Sequence, residues 1–221
     1  MNKIWIVLLT GLLMLSACAP VSPATSTGPS VETIVASTLQ ALTAAAPTAQ
    51  PKQGTISYGK VSFSLPSDVA ATALSGTIPA VPNDGMGGPW GIAPEYIKFE
   101  LDGYTDYGSF HTAQILVYPA QEYAKVHDGA KSSIAKLQAI ANGSAALTAD
   151  NLPTIPSFNA AQLFAAQINK VQFANGSGVR FLTEYAQYSD TANSADLFYH
   201  FQGLTSDGKY YIIAILPVSH P

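Results

Sequence analysis

The segment Asp102-Gly103-Tyr104-Thr105-Asp106-Tyr107-Gly108-Ser109-Phe110-His111 places two carboxylates and an imidazole in one short Gly-containing stretch. Oxygen and nitrogen donors gathered this closely could converge on a metal ion. The spacing is not that of a calcium loop: counted from Asp102, Tyr107 stands where a glycine is needed and Ala113 where the bidentate glutamate belongs. Asp102, Asp106 and His111 therefore form a weak metal set, and a solvated turn whose aspartates bond their own backbone is the simpler expectation. Covalent chemistry has even less to work with. There is no Gly-x-Ser-x-Gly elbow, Ser-x-x-Lys or His-Glu-x-x-His, and the histidines at 111, 127, 200 and 220 are scattered. A Ser-His-Asp triad assembled by folding alone stays open at this point. A hydrolase of carbohydrate or peptidoglycan would use carboxylates such as Glu95, Glu100, Asp102 and Glu184, which nothing in the sequence pairs at the separation that glycoside hydrolysis requires. The reading leans away from catalysis and names no cofactor.

Aromatic side chains offer a different chemistry. The stretch Asp84-Gly-Met-Gly-Gly-Pro-Trp-Gly-Ile-Ala-Pro-Glu-Tyr96 is not a dinucleotide fingerprint, because Trp90 occupies a required glycine position and Pro94 with a strand follows in place of a helix. Trp90 and Tyr96, with Tyr104 and Tyr107, could instead stack on a sugar ring or a partner peptide. The competing expectation is that Trp90 plugs one end of a sheet. Tyr185, Tyr188, Tyr199, Tyr210 and Tyr211 fall on the last three expected strands. Alternation sets Tyr199 and His200, and likewise Tyr210 and Tyr211, on opposite faces. Cross-strand aromatic pairing explains such a row without a ligand.

The clearest chemical signal is Cys18, the only cysteine of the chain. Lys3, an apolar run from Ile4 to Leu15, and Leu15-Ser16-Ala17-Cys18 form a secretory leader, too short to span a bilayer, which takes about 20 residues. The tetrad resembles the lipobox of bacterial lipoproteins. That resemblance implies acylation of the Cys18 thiol, removal of residues 1–17, and anchoring by two or three acyl chains, each buried methylene adding about 0.8 kcal/mol. It also implies an extracytoplasmic location on the cell membrane; in an organism with two membranes, Ala19 after the cysteine points to the outer one. Cleavage takes away Lys3 alone and leaves nine basic against 14 acidic residues, net −5. A mildly acidic chain without a basic cluster argues against nucleic acid as a partner. With no second cysteine, the exported part must rely on an ordinary hydrophobic core.

Positioning these groups falls to three stretches. Residues 18–52 are rich in Pro, Ser, Thr and Ala and read as a tether; Val31, Ile34, Val35, Leu39 and Leu42 have helical spacing within it, too short for a stable isolated helix. Residues 53–221 read as one globular domain. Strands are expected around Ile56–Leu65, Ile97–Leu101 and Ala113–Tyr118, the last a continuous apolar run suited to a central position. A helical block interrupts them, starting at Pro119, running to about His127 and continued at helical spacing by Ala130, Ile134, Leu137 and Ala141 until Asn142-Gly143 stops it. The stretch from Asn159 to Gln167 has no clear period. Val171 to Tyr185 pivots on Asn175-Gly176, and Leu197–Leu204 returns through Ser206-Asp207-Gly208 into Tyr210–Leu216. The outcome is an α+β domain: an antiparallel sheet of about five to seven strands packed against helices, with the helical block ahead of the C-terminal hairpins. Between Phe198 and Ile215, together with Phe63-Ser64-Leu65-Pro66, the chain resembles the PsbP/Mog1-like family, whose domains carry an antiparallel sheet between helices. The resemblance carries over no functional residue and implies an accessory role without catalysis.

Taken together, the sequence predicts a lipid-anchored envelope lipoprotein whose domain binds an envelope protein or a small neutral ligand. A small exported hydrolase is the alternative, and a transport solute-binding protein is disfavoured because those use two lobes where this chain has one.

Overall fold

The computed structural model describes residues 53–85, 88–188 and 191–219. The expected leader and tether, with the Val31–Leu42 spacing, Cys18 and His220 lie outside the described residues.

Alternation of apolar and polar residues opens the domain as a hairpin, β1 (Gln53–Tyr58) and β2 (Val61–Pro66), turned at Gly59 with φ 59°. This hairpin is a sheet of its own. The main sheet is antiparallel throughout and comprises β3 (Thr72–Ile78), β4 (Tyr96–Asp102), β5 (Gln114–Pro119), β6 (Ala161–Phe173), β7 (Gly176–Ala186), β8 (Phe198–Thr205) and β9 (Tyr210–Pro217). Its order is β3-β4-β5-β9-β8-β7-β6. The helices α1 (Ala120–Val126) and α2 (Asp128–Ala141) follow β5, as their spacing predicts. The fold is thus strand-rich, with seven strands in one sheet and two helices among the described residues.

The two helices are separate because His127 leaves helical geometry (φ −141°, ψ 112°), and its Nδ1 accepts hydrogen bonds from the N–H groups of Gly129 at 3.0 Å and Ala130 at 3.3 Å. Those bonds satisfy two of the donors that a helix N-terminus leaves open. Ala130, Ser133, Ile134, Leu137 and Ile140 line the buried side of α2 at the spacing of one helical face. They pack over Leu116, Val179, Phe181, Phe198, Tyr211 and Ile213 on one side of the sheet.

On the other side, cross-strand register aligns Phe99, Ile115, Ala214, Phe201, Arg180 and Asn169 in one row across six strands. The β1–β2 hairpin covers only the beginning of that row. Phe63 meets Phe99 edge-on with centroids 5.0 Å apart, and Tyr58 does so at 6.4 Å. Strands β5 and β9 run under cover on both faces, which explains the unbroken apolar runs in both.

Two strands differ from expectation. β3 carries no apolar alternation: Ser75, Gly76 and two threonines occupy a sheet edge with half its backbone groups unpaired. β6 takes up the stretch without a period, because its pairing with β7 shifts register between Gln162 and Phe164 and again between Ala166 and Asn169. Each bulge displaces the alternation by a residue and hides it from a period-two pattern.

Candidate functional site

The four aromatics singled out from the sequence do not share a surface. β4 carries Tyr96 at its start and leads into Tyr104 and Tyr107 past its end, so about 20 Å of strand separates them. Tyr96 belongs to the interior: its ring lies 4.5 Å from that of Tyr118, which stacks on Tyr123 at 4.4 Å. Burial pushes the Tyr118, Tyr123 and Tyr211 hydroxyls well above the usual phenol range, and Tyr185 to about 12. Trp90 is not among the residues of the two buried clusters. It sits in a 3-10 turn (Pro89–Gly91), 41% exposed, with its indole across Gly88 where any Cβ would overlap the ring. A hollow of about 280 Å3 between Val81, Asn83 and Ile92 lies along the same loop.

The possible metal donors also part. Asp106 Oδ1 accepts from Gly108 N at 3.1 Å, a turn closed on its own backbone. His111 turns inward, stacked on Phe158 (5.4 Å, 12°) and edge-on to Phe198 at 4.6 Å. Burial lowers its pKa, against the opposing pull of Asp196. Among the described residues no three His, Cys, Asp or Glu side chains are grouped to hold a metal.

The carboxylates proposed for hydrolysis spread along β4 and onto β7, with Glu100 and Asp102 two residues apart on one side of β4. Glu100 pairs with Lys98 at 2.9 Å. Glu184 is fully buried on β7, four strands or about 19 Å from β4, well outside the separation of about 5–9.5 Å that glycosidase carboxylates keep. Glu95 and Asp102 flank opposite ends of β4. Of the described histidines, His127 caps α2 and His200 lies wholly buried on β8, 2.6 Å from Gln202 Nε2. An amide nitrogen only donates, so the His200 ring nitrogen accepts. Burial depresses its pKa to about 3 and keeps the imidazole neutral. Tyr211 completes this internal chain by donating to Gln202 Oε1.

What folding does bring together is an aromatic-bearing end of the sheet, where the β4–β5 loop meets the loop before β8. Phe110 N–H and Ser109 Oγ both donate to Ala195 O, at 2.8 and 3.0 Å. The Asn193 side chain holds that second loop, accepting from Ala195 N at 2.9 Å and donating to Asp196 Oδ2 at 3.1 Å. Tyr104, half-buried, donates to Pro217 O at 2.9 Å. On this fixed backbone Phe110 is 80% exposed and Tyr107 50% exposed, the latter in the left-handed region at φ 54°. Tyr188, 72% exposed, lies just past β7 and not on a strand as its spacing suggested. Beside it opens a shallow groove of about 490 Å3 lined by Phe158, Asn159, Ala160, Ala161, Ala186 and Gln187, with Gln187 Nε2 donating across to Asn159 O at 2.9 Å. Its described lining residues carry no charge.

Of the sequence candidates, Tyr104, Tyr107 and His111 belong to this end, and Trp90 and Tyr96 do not. Phe110 and Phe158 escape sequence reasoning. The available signal for Phe110 was a large aromatic between Ser109 and His111 in a turn-rich stretch that offers it no core position.

The class that fold and site define is a strand-rich domain presenting aromatics on fixed loops. Comparison of the chain with known protein families, with curated proteins and with solved structures finds no match.

Proposed function

We propose that this chain is a lipid-anchored lipoprotein of the cell envelope, held through Cys18, whose domain is a non-catalytic binding module facing the extracytoplasmic side. The α+β assignment and the likeness of the closing hairpin to the PsbP/Mog1-like family belong to the same reading. The observation that carries the binding role is Phe110, a large aromatic left in solvent on a backbone clamped to Ala195. Exposed apolar groups grouped on one surface mark contact sites, and a contact group ordered in advance loses less entropy when a partner arrives. Tyr107 stands on the same loop, and the groove beside Phe158, whose described lining carries no charge, suits a neutral group of the partner or a small neutral ligand. The anchoring rests on the tetrad ending at Cys18 and on the absence of acidic residues in the leader.

In-cell crosslinking of the full-length protein in native envelopes, read by mass spectrometry, tests both parts. One reproducible partner, lost in Phe110→Ala while the variant stays folded, is expected. Crosslinks unchanged by Phe110→Ala would remove the loop end as the contact surface. Cys18→Ala should leave the protein without acyl mass and outside the membrane fraction, and an unchanged mass and fraction would remove the anchor.

A further inference from the structure

Arg180 is the one arginine of the chain. It stands exposed on β7, on the sheet face opposite the helices, beyond the reach of the β1–β2 hairpin. Its guanidinium carbon lies 5.3 Å from the centre of the Tyr199 ring. Among the described residues the ion pairs are Lys98–Glu100 and Lys209–Asp207, and none of the described carboxylates pairs with Arg180. A guanidinium stacked on an aromatic face is held in plane while its N–H donors point outward.

The surroundings are ordered to match. Phe201 on β8 and Asn169 on β6 are the direct cross-strand partners of Arg180. The Tyr199 hydroxyl donates to Gln167 Oε1. Gln167 adopts a left-handed φ of 51° in the second β6 bulge, a costly conformation for a residue with a side chain, and Asn169 Nδ2 donates to its carbonyl at 2.8 Å. Bulges of this kind re-aim side chains. Beside them the Phe201 ring covers Gly178 and Gly203, where an added Cβ would come within 2.7 Å of it. The result is a shallow platform of aromatic rings, rimmed by two amides, with the Arg180 guanidinium held over one of the rings and without an ion-pair partner among the described residues.

We propose that this platform binds an acidic sugar, a pyranose bearing a carboxylate. The ring lies against Tyr199 and Phe201, the hydroxyls reach the amides of Gln167 and Asn169, and the carboxylate meets Arg180 through paired N–H donors. A flat sheet surface has no slot for a peptide side chain, whereas a pyranose presents a flat apolar side. The chain's acidic balance, net −4, disfavours anions elsewhere and leaves Arg180 to select one. The inference rests on the reading of the domain as a binding module but uses a different surface from the loop end.

The test titrates the full-length protein with a short oligogalacturonate and with the neutral galactan of the same length, by calorimetry. The acidic oligosaccharide is expected to bind and the neutral one to bind at least about tenfold more weakly, with a similar loss for the acidic one in Arg180→Gln and a partial loss in Arg180→Lys. Equal affinity for both sugars, full affinity in Arg180→Gln, or no heat from the acidic sugar at millimolar concentration each overturns it. Phe110→Ala serves as the control: uronate binding intact while its crosslinks vanish separates this site from the loop-end surface, and crosslinks that persist in that variant count against the loop end alone.

Discussion

The two faces of the main sheet are built from similar strands and end up in opposite conditions. Under the helices, Leu116, Ile213, Gln202 and Val179 form a continuous buried row, and even the polar members of that face are enclosed. On the other face the row from Phe99 to Arg180 begins under a hairpin and ends in water. Enclosure on the first face comes from both helices, α1 against β5 and α2 against β8 and β7. The hairpin, six residues to a strand, packs with Ala73, Leu101, Ile115 and Leu216 and leaves Arg180 on β7 exposed. Apolar content alone therefore does not decide what is core here; the area of the covering layer does. The uncovered remainder is where aromatic side chains stay available to other molecules.

The contrast can be broken most forcefully at Phe198 and Phe201, three residues apart on β8 and so on opposite faces. Phe198 is fully buried among His111, Phe158, Tyr185 and His200, so Phe198→Ala should lower unfolding free energy by about 3–5 kcal/mol. Phe201→Ala on the open face should cost about 1 kcal/mol or less by urea denaturation. Similar losses at both positions would mean that the outer face is covered in solution.

Acid should act through the enclosed face. His200 keeps a folded pKa near 3 against an ordinary value near 6.5, so below that ordinary value the unfolded chain takes up a proton which the folded one refuses. Stability present above pH 6.5 is therefore lost as pH falls, with a slope approaching 1.4 kcal/mol per unit and about 2 kcal/mol gone by pH 5. His111, also lowered by burial, pushes the same way. Asp207, drawn down to about 2 by the Thr205 hydroxyl and by Lys209, titrates below that window and does not contribute to it. Urea midpoints at pH 7 and pH 5 measure the effect, and equal midpoints would contradict a neutral buried imidazole.

The smallest effect is expected at the loop end. Phe110→Ala removes a ring that is mostly in solvent and should shift stability by no more than about 0.5 kcal/mol. A larger loss in thermal melting would assign Phe110 to packing and sharpen the view that only the sheet face is open.

Much of the fold was legible because several segments obey one rule at a time. Ser206-Asp207-Gly208 closes β8 and β9 as its turn chemistry dictates, and Ala113–Tyr118 is central because it is apolar on both faces. β3 and β6 were not legible, since an edge strand need bury only one side and a bulge resets the alternation. The site was harder to read for a different reason. Distance along β4 divides Tyr96 from Tyr104, and only register reveals that Arg180, Tyr199 and Asn169, each ordinary in its own strand, are neighbours. Spacing within one segment carries no information about such meetings across strands.

The separateness of the β1–β2 hairpin has a mechanical side. Its two strands bond to each other in six pairs and to the main sheet through no ladder, apart from a side-chain contact between Tyr58 and Thr77 at 3.2 Å. Gln53 pairs with Pro66, so a pull on Gln53 loads the ladder one rung at a time, the weakest way to stress a pair of strands. Tension there peels β1 from β2 before it loads the seven-stranded sheet, lifting Tyr58 from Phe99 while Phe63 on β2 stays against that ring.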